Sequence, residues 1–238
     1  MRLDAADRAR PAAPIIAVSG MAFEARIARG QGVEVVYAAR ADLLERALSD
    51  AVARGCAGIV SFGTAGGLAP GLAPGTLIVA DAVDGPFGRL TTDAGWSARL
   101  ASALAGTPLE ARLRRGTLAG VTAPVASAQD KEALYRSTGA LAVDMESHIA
   151  GAIADARGLP FTVCRAIVDP AWRTLPRAAT AGLRDDGSTA LAPILRELMR
   201  QPSQLGALIQ VAVDARAARA SLVAARHALG SSGALLAA

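Results

Sequence analysis

The side chains best suited to proton chemistry fall in one stretch, Gly139 to Ala171. Asp144 and Glu146 stand just past one apolar run, Ala140–Val143, and Asp169 just past another, Phe161–Val168. Between the runs apolar residues recur at helical spacing, so the stretch reads as strand, helix, strand, a βαβ unit. In open α/β sheets ligands gather beyond the carboxyl ends of the strands. Carboxylates placed there can serve as general acids or bases. An acid at a helix N-terminus also has a plain structural use, the capping of free N–H groups. Asp144 reads as such a cap, and Glu146 fits either use. Asp169, followed by Pro170 and not by a helix, fits capping less well.

Further polar chemistry is offered by the run Gly63–Pro70 (GTAGGLAP), read as a glycine-rich turn after a strand. Glycines let a backbone approach a ligand closely, and successive N–H groups form a nest for an anion or a sugar hydroxyl. The run matches neither the Walker A pattern nor GxGxxG, so phosphate binding by those devices is excluded. The two histidines, His148 and His227, read as packing or surface residues. There is no zinc-ligand spacing, no Ser/His/Asp order, no internal repeat, and hence no metal site to assign.

The elements that must position these residues follow from the apolar pattern. Pro14–Ser19, Val33–Tyr37, Gly58–Phe62, Gly75–Val83 and Thr117–Val125 read as strands. MAFEARIAR, which carries Glu24, reads as the start of a helix, and Ala41–Gly55 and a segment around Trp96–Leu104 read as further helices. Ala126–Asp130 reads as a loop. Alternating strands and helices imply an α/β fold, a three-layer αβα sandwich around a mixed, twisted central sheet. Residues 14–238 read as one domain, preceded by a loose leader over 1–13 and closed by a helical extension over 185–238. In that extension Leu191–Arg200 is a short helix and Ser203–Leu229 a long one, read as packed on the sheet. An amphipathic helix resting on a membrane surface is the alternative.

Composition narrows the class. Of 238 residues 52% are hydrophobic and 3% aromatic, and Lys131 is the single lysine, a pattern of genome bias. The net charge of +4 permits acidic partners. The arginines are nevertheless scattered and stacking aromatics few, which argues against nucleic acid. Cys56 and Cys164 lie in apolar runs, as buried thiols do in a reducing, cytoplasmic compartment. No apolar run reaches the roughly 18 residues of a membrane span. Peripheral membrane contact stays open.

With these pieces in place the chain resembles the nucleoside phosphorylase superfamily, especially the branch containing methylthioadenosine/S-adenosylhomocysteine nucleosidase. The resemblance covers Pro14 to Ala171 and rests on SGMAFEA, on GTAGGLAPGLAPGTLIVAD, and on VDMES paired with RAIVDPA. The tail from LPRAATAGLRDDGST onward is most like that of the hopanoid-associated phosphorylases. The resemblance implies cleavage of the bond between adenine and ribose, with Asp169 protonating purine N7, Glu146 holding ribose hydroxyls and Met145 lying beneath the sugar. Thr64 would line the sugar and nucleophile site, and Val143, Ser127 and Gln129 the base pocket. It implies a homo-oligomer, no cofactor, and a small or lipid-linked adenine nucleoside as partner.

Two departures bear on the nucleophile. Val168 stands where the family nucleosidases usually carry a serine, and the nucleophile loop reads Ala38-Ala39-Arg40-Ala41. Arg40, with Gly20 and Thr64, would bind inorganic phosphate as co-substrate. Glu24 points the other way, since it matches the glutamate with which nucleosidases activate water. The closer match favours phosphorolysis, with adenosylhopane as the implied substrate. A hydrolytic nucleosidase and a non-catalytic nucleoside-binding or membrane-surface protein are the alternatives.

Overall fold

A computed structural model describes residues 13–236. The leader 1–13 lies outside the described residues but for Ala13, as do 237 and 238 of the extension. Eight strands alternate with eight helices: β1 Ile15–Ser19, α1 Ala22–Ala28, β2 Val33–Tyr37, α2 Ala41–Ala53, β3 Gly58–Gly67, β4 Leu77–Gly85, β5 Gly88–Thr91, α3 Ala94–Leu104, β6 Leu113–Gly120, α4 Ala128–Thr138, β7 Ala142–Asp144, α5 Ser147–Ala156, β8 Phe161–Asp169, α6 Arg177–Ala181, α7 Leu191–Arg200 and α8 Leu205–Ser231.

The sheet is mixed and its strand order is β2-β1-β3-β7-β6-β4-β5, with β8 paired to both β3 and β4. Five strands therefore pair in a closed circuit, β3-β7-β6-β4-β8, from which β1 and β2 extend on one side and β5 on the other. Strand period separates the two faces. On one face Ile16, Val18, Ile59 and Ile78 pack with Leu44, Leu48 and Ala51 of α2 and Ala150 and Ala154 of α5. On the other Ile15, Ala17, Val60 and Val79 pack with Trp96 and Leu100 of α3 and Ala218, Leu222, Ala225 and Leu229 of α8. This is the three-layer αβα arrangement that the sequence pattern implies.

Three expectations are corrected. The stretch 139–171 does contain strand, helix and strand, but β7 and β8 do not pair as a βαβ unit. They flank β3, β7 antiparallel to it and β8 parallel. Apolar periodicity identifies a strand and carries no information about its neighbour. The glycine-rich run is not a turn at its start, because β3 continues through Gly67. A Cβ at Gly63 would stand 2.7 Å from Arg165 Nη1 and 2.8 Å from Glu24 Cδ, so glycine there makes room for side chains within a strand. The segment after β6 is not only a loop: Ser127 caps α4, accepting from the Asp130 N–H at 3.0 Å. The long final helix does pack on the sheet as read, through the second half of α8, where small alanines let it approach, while Leu205, Ile209 and Val213 of the first half are exposed.

Candidate active site

β3 organises the site. Thr64 and Gly66 are its half-buried positions, alternating with buried Ala65 and Gly67, so they share one face and lie about 6.6 Å apart along the strand. Each has a carboxylate against it.

At Thr64 the carboxylate is Glu24, brought in by α1 and almost wholly buried. Its Oε1 accepts from the Thr64 N–H at 2.8 Å and hydroxyl at 2.5 Å, and its Oε2 from the N–H groups of Gly20 at 3.1 Å and Met21 at 3.0 Å. Beside it stands Arg165 of β8, fully buried. Its Nε lies 2.8 Å from Asp144 Oδ2 and its Nη2 3.1 Å from Glu146 Oε2, while Nη1 donates to the Thr64 carbonyl at 3.2 Å and Nη2 to Ser61 Oγ at 2.6 Å. Glu146, at the start of α5, reaches toward Gly20: a Cβ there would stand 2.3 Å from its Oε1. Asp144 keeps the capping use read from the sequence, accepting from the Ser147 N–H at 3.0 Å, and adds the ion pair with Arg165.

Asp144 and Glu146 thus pair with one guanidinium, and the Glu24 carboxylate lies close by, its oxygens taken by N–H and hydroxyl donors. Burial pushes the Glu146 carboxyl up to about 8; Arg165 opposes the shift, and the nearby Asp144 and Glu24 charges add to it. Glu146 is therefore mostly protonated at neutral pH, able to donate as well as accept a hydrogen bond.

At Gly66 the carboxylate is Asp169, and an irregularity in the β3–β8 ladder puts it there. Ala65 is opposite Ile167, but Gly66 is opposite Asp169, so Val168 is an extra residue in β8. Such a bulge re-aims the side chain that follows it. Asp169 is buried, and its Oδ2 takes the Lys131 ammonium at 2.5 Å. Burial raises its pKa above the ordinary value, with Lys131 opposing. Val143 of β7 is opposite Gly66 in the ladder and adjoins the same spot. Met145 lies half-buried between Asp144 and Glu146.

Other expected residues are engaged locally or exposed. The Ser127 hydroxyl is spent on the α4 cap, donating to Asp130 Oδ2 at 2.6 Å, and Gln129 is exposed on the same first turn. The Arg40 guanidinium, half exposed, is paired with Asp42 at 2.6 Å and Asp185 at 3.1 Å. The Ala39 and Arg40 N–H groups both donate to the Asp185 carbonyl, at 3.0 and 3.1 Å. The Gly187 carbonyl accepts from the Ala22 N–H at 3.0 Å, so the segment 184–188 covers this edge of the site. Of the histidines, His148 is buried in α5 and stacks on Phe87 with centroids 5.8 Å apart.

Two residues that sequence reasoning passed over prove central. Arg165 could have been noticed as a full charge in the otherwise apolar strand FTVCRAIV, where an ion must find a partner. Lys131 stands out as the single lysine but reads only as genome bias, and nothing near it in sequence marks it as a partner of Asp169.

Comparison with known proteins identifies the family and the fold. A family model described as the phosphorylase superfamily matches residues 15–200. No curated protein matches the chain by sequence. Among solved structures, a mutant of Helicobacter pylori MTAN with 5′-methylthioadenosine in the active site is 16% identical, with a TM-score of 0.65 over 94% of this chain and 99% of that one. The futalosine hydrolase of Helicobacter pylori is 17% identical, with a TM-score of 0.65 over 94% and 98%. The S-adenosylhomocysteine nucleosidase of Streptococcus pyogenes is 19% identical, with a TM-score of 0.61 over 69% and 86%. At these identities the structures speak to the fold, and with the family match they establish that the chain belongs to the phosphorylase superfamily.

Proposed function

We propose that this phosphorylase-superfamily protein hydrolyses the bond between adenine and the ribose of a 5′-substituted nucleoside. The observation that carries the reading is the charge of the Thr64 cluster: Glu24 and Asp144 are two carboxylates beside one guanidinium, so negative charge is in surplus even with Glu146 protonated. Glycosidic cleavage passes through an oxocarbenium-like state, so positive charge develops on the sugar. Fixed carboxylates stabilise that charge as it forms. Water is neutral and reaches such a site without a charge penalty, whereas phosphate would be brought against surplus negative charge. In this scheme Glu24 takes the proton of the attacking water, Glu146 holds ribose hydroxyls above Met145, and Asp169 gives its proton to a ring nitrogen of the departing base beside Val143. Binding of 5′-methylthioadenosine by a Helicobacter pylori protein of the same fold supports the adenine nucleoside as substrate. Exposed Leu183 adjoins the segment 184–188 at the edge of the site and exposed Leu191, Leu195 and Met199 follow it, so a nucleoside with a bulky apolar 5′ group, with adenosylhopane as its extreme, is the second substrate to test.

One observation favours phosphorolysis as a second reading. The Ala39 and Arg40 N–H groups and the Arg40 guanidinium already converge on oxygen acceptors of Asp185, and phosphate would offer the same acceptors if the segment 184–188 withdrew. The test is adenine release from methylthioadenosine and from adenosylhopane, each with and without phosphate. Release without phosphate is expected. Strict phosphate dependence overturns hydrolysis in favour of the second reading. No release from either nucleoside rejects an enzyme in favour of a binding protein.

A further inference from the structure

Lys131 is wholly buried in the first turn of α4, next to exposed Asp130 and Glu132. Its ammonium meets Asp169 Oδ2 at 2.5 Å and three carbonyl oxygens of one short segment, those of Asp169 at 3.4 Å, Pro170 at 3.2 Å and Arg173 at 2.9 Å. An ammonium has three N–H donors, so these acceptors saturate it. Removing a lysine from water is costly unless its charge is both paired and hydrogen-bonded, and here both conditions are met by the residue at the Gly66 position and the chain just beyond it. Asp169 Oδ1 accepts no side-chain donor among the described residues.

We propose that Lys131 is a positioning residue for the reaction: it grips Asp169 by Oδ2, leaves Oδ1 to face the departing base, and neutralises the carboxylate that remains once the proton has left. The proposal rests on Asp169 being the acid. In the step itself the proton passes from the Asp169 carboxyl to the base nitrogen while the electron pair of the glycosidic bond passes to the base. Lys131 keeps its own protons throughout. Its charge makes Asp169 a stronger acid and opposes the upward push of burial, so the two effects together set where the acid titrates. The charged groups facing Asp169 are Lys131 from α4 and Asp214 from α8, whose negative charge adds to the upward push. Asp214 is paired with Arg173 Nε at 2.8 Å, and the Arg173 carbonyl is one of the acceptors of Lys131, so the same segment links the acid to the C-terminal helix.

A single lysine makes the test direct. Protein grown on lysine labelled with nitrogen-15 at Nζ, freed of any lysine-bearing tag, has one ammonium resonance, which reads the pair with no substrate and no change at Lys131. A pH inflection of that resonance that disappears in Asp169→Asn is expected. The same pH response in wild type and Asp169→Asn overturns the proposal. The kinetic arm follows kcat/KM for adenine release from methylthioadenosine against pH. Lys131→Met should lower the plateau and move the alkaline limb upward by about one to three pH units, while Lys131→Arg, which keeps a cation, should leave the limb in place. A folded Lys131→Met whose rate falls equally at every pH with the limb unmoved assigns Lys131 a structural role only and overturns the proposal. Should Lys131→Met not fold, the resonance decides. Absence of adenine release from wild type rejects the reaction proposed above, an outcome distinct from any result at the resonance.

Discussion

Two carboxylate sites lie one strand step apart on β3 and are balanced differently. At Thr64, Asp144 and Glu146 pair with Arg165 and Glu24 stands beside them, so negative charge is in excess even with Glu146 protonated. At Gly66, Asp169 has Lys131, and the charges match one to one. The first site suits a sugar that becomes positive and a nucleophile that arrives neutral. The second suits delivery of a proton, because an acid with a fixed counter-charge can lose it without leaving a bare buried anion. Each site has one cation among the described residues, Arg165 from β8 or Lys131 from α4, so the difference lies in how many acids gather round it.

The comparison breaks most sharply at Asp169. Asp169→Asn keeps the shape and loses the proton, so adenine release should fall by about 10²–10⁴-fold, with circular dichroism and thermal unfolding showing a folded protein. Undiminished release would remove proton delivery from the Gly66 site. Next, Arg165→Met strips the only cation found at the Thr64 cluster among the described residues. Removing one partner of a buried ion pair costs about 3–5 kcal/mol, to be read from urea unfolding, and a variant of wild-type stability would mean that the cluster is not charged as described.

The Glu146 carboxyl sharpens the same point through pH. Its pKa is raised from 4.5 to about 8 in the fold. Between those values the native state holds a proton that the unfolded state has lost, so this group's contribution to stability is full below the lower value and declines as pH rises toward the upper one. Glu146→Gln should remove that part of the slope in unfolding measured across the interval. An unchanged slope would place the excess charge elsewhere. The smallest effect is expected at Asp185, whose pair with Arg40 is exposed on both sides. Asp185→Ala should cost less than about 1 kcal/mol and leave adenine release independent of phosphate. Phosphate stimulation appearing only in that variant would point to an anion site beneath the segment 184–188.

Much of this was legible in the chain because the signals are local. The strands Ile15–Ser19 and Val33–Tyr37 and the helix Ala41–Ala53 follow from apolar period and flanking turn residues. Asp169 and Glu146 could be singled out because acids just past apolar runs are conspicuous, whereas Glu24, inside a helix start, is marked only by the family resemblance. Arg40 and Ser127 show the limit: each has chemistry that fits a ligand, yet Arg40 is engaged by Asp185, 145 positions away, and Ser127 by its own helix.

What the sequence by itself determined is the alternation of strand and helix and the supply of buried acids, since both are set by residue type and near spacing. Only the tertiary structure decided which cation meets which acid. Lys131 and Asp169 are 38 positions apart, and Thr64 and Arg165 are 101 apart. Their meeting depends on β8 lying beside β3 with an extra residue at Val168, and on the first turn of α4 bringing Lys131 to Asp169. Strand pairing is a choice among distant partners made by the packing of the whole sheet, and the charge balance of the site follows from that choice.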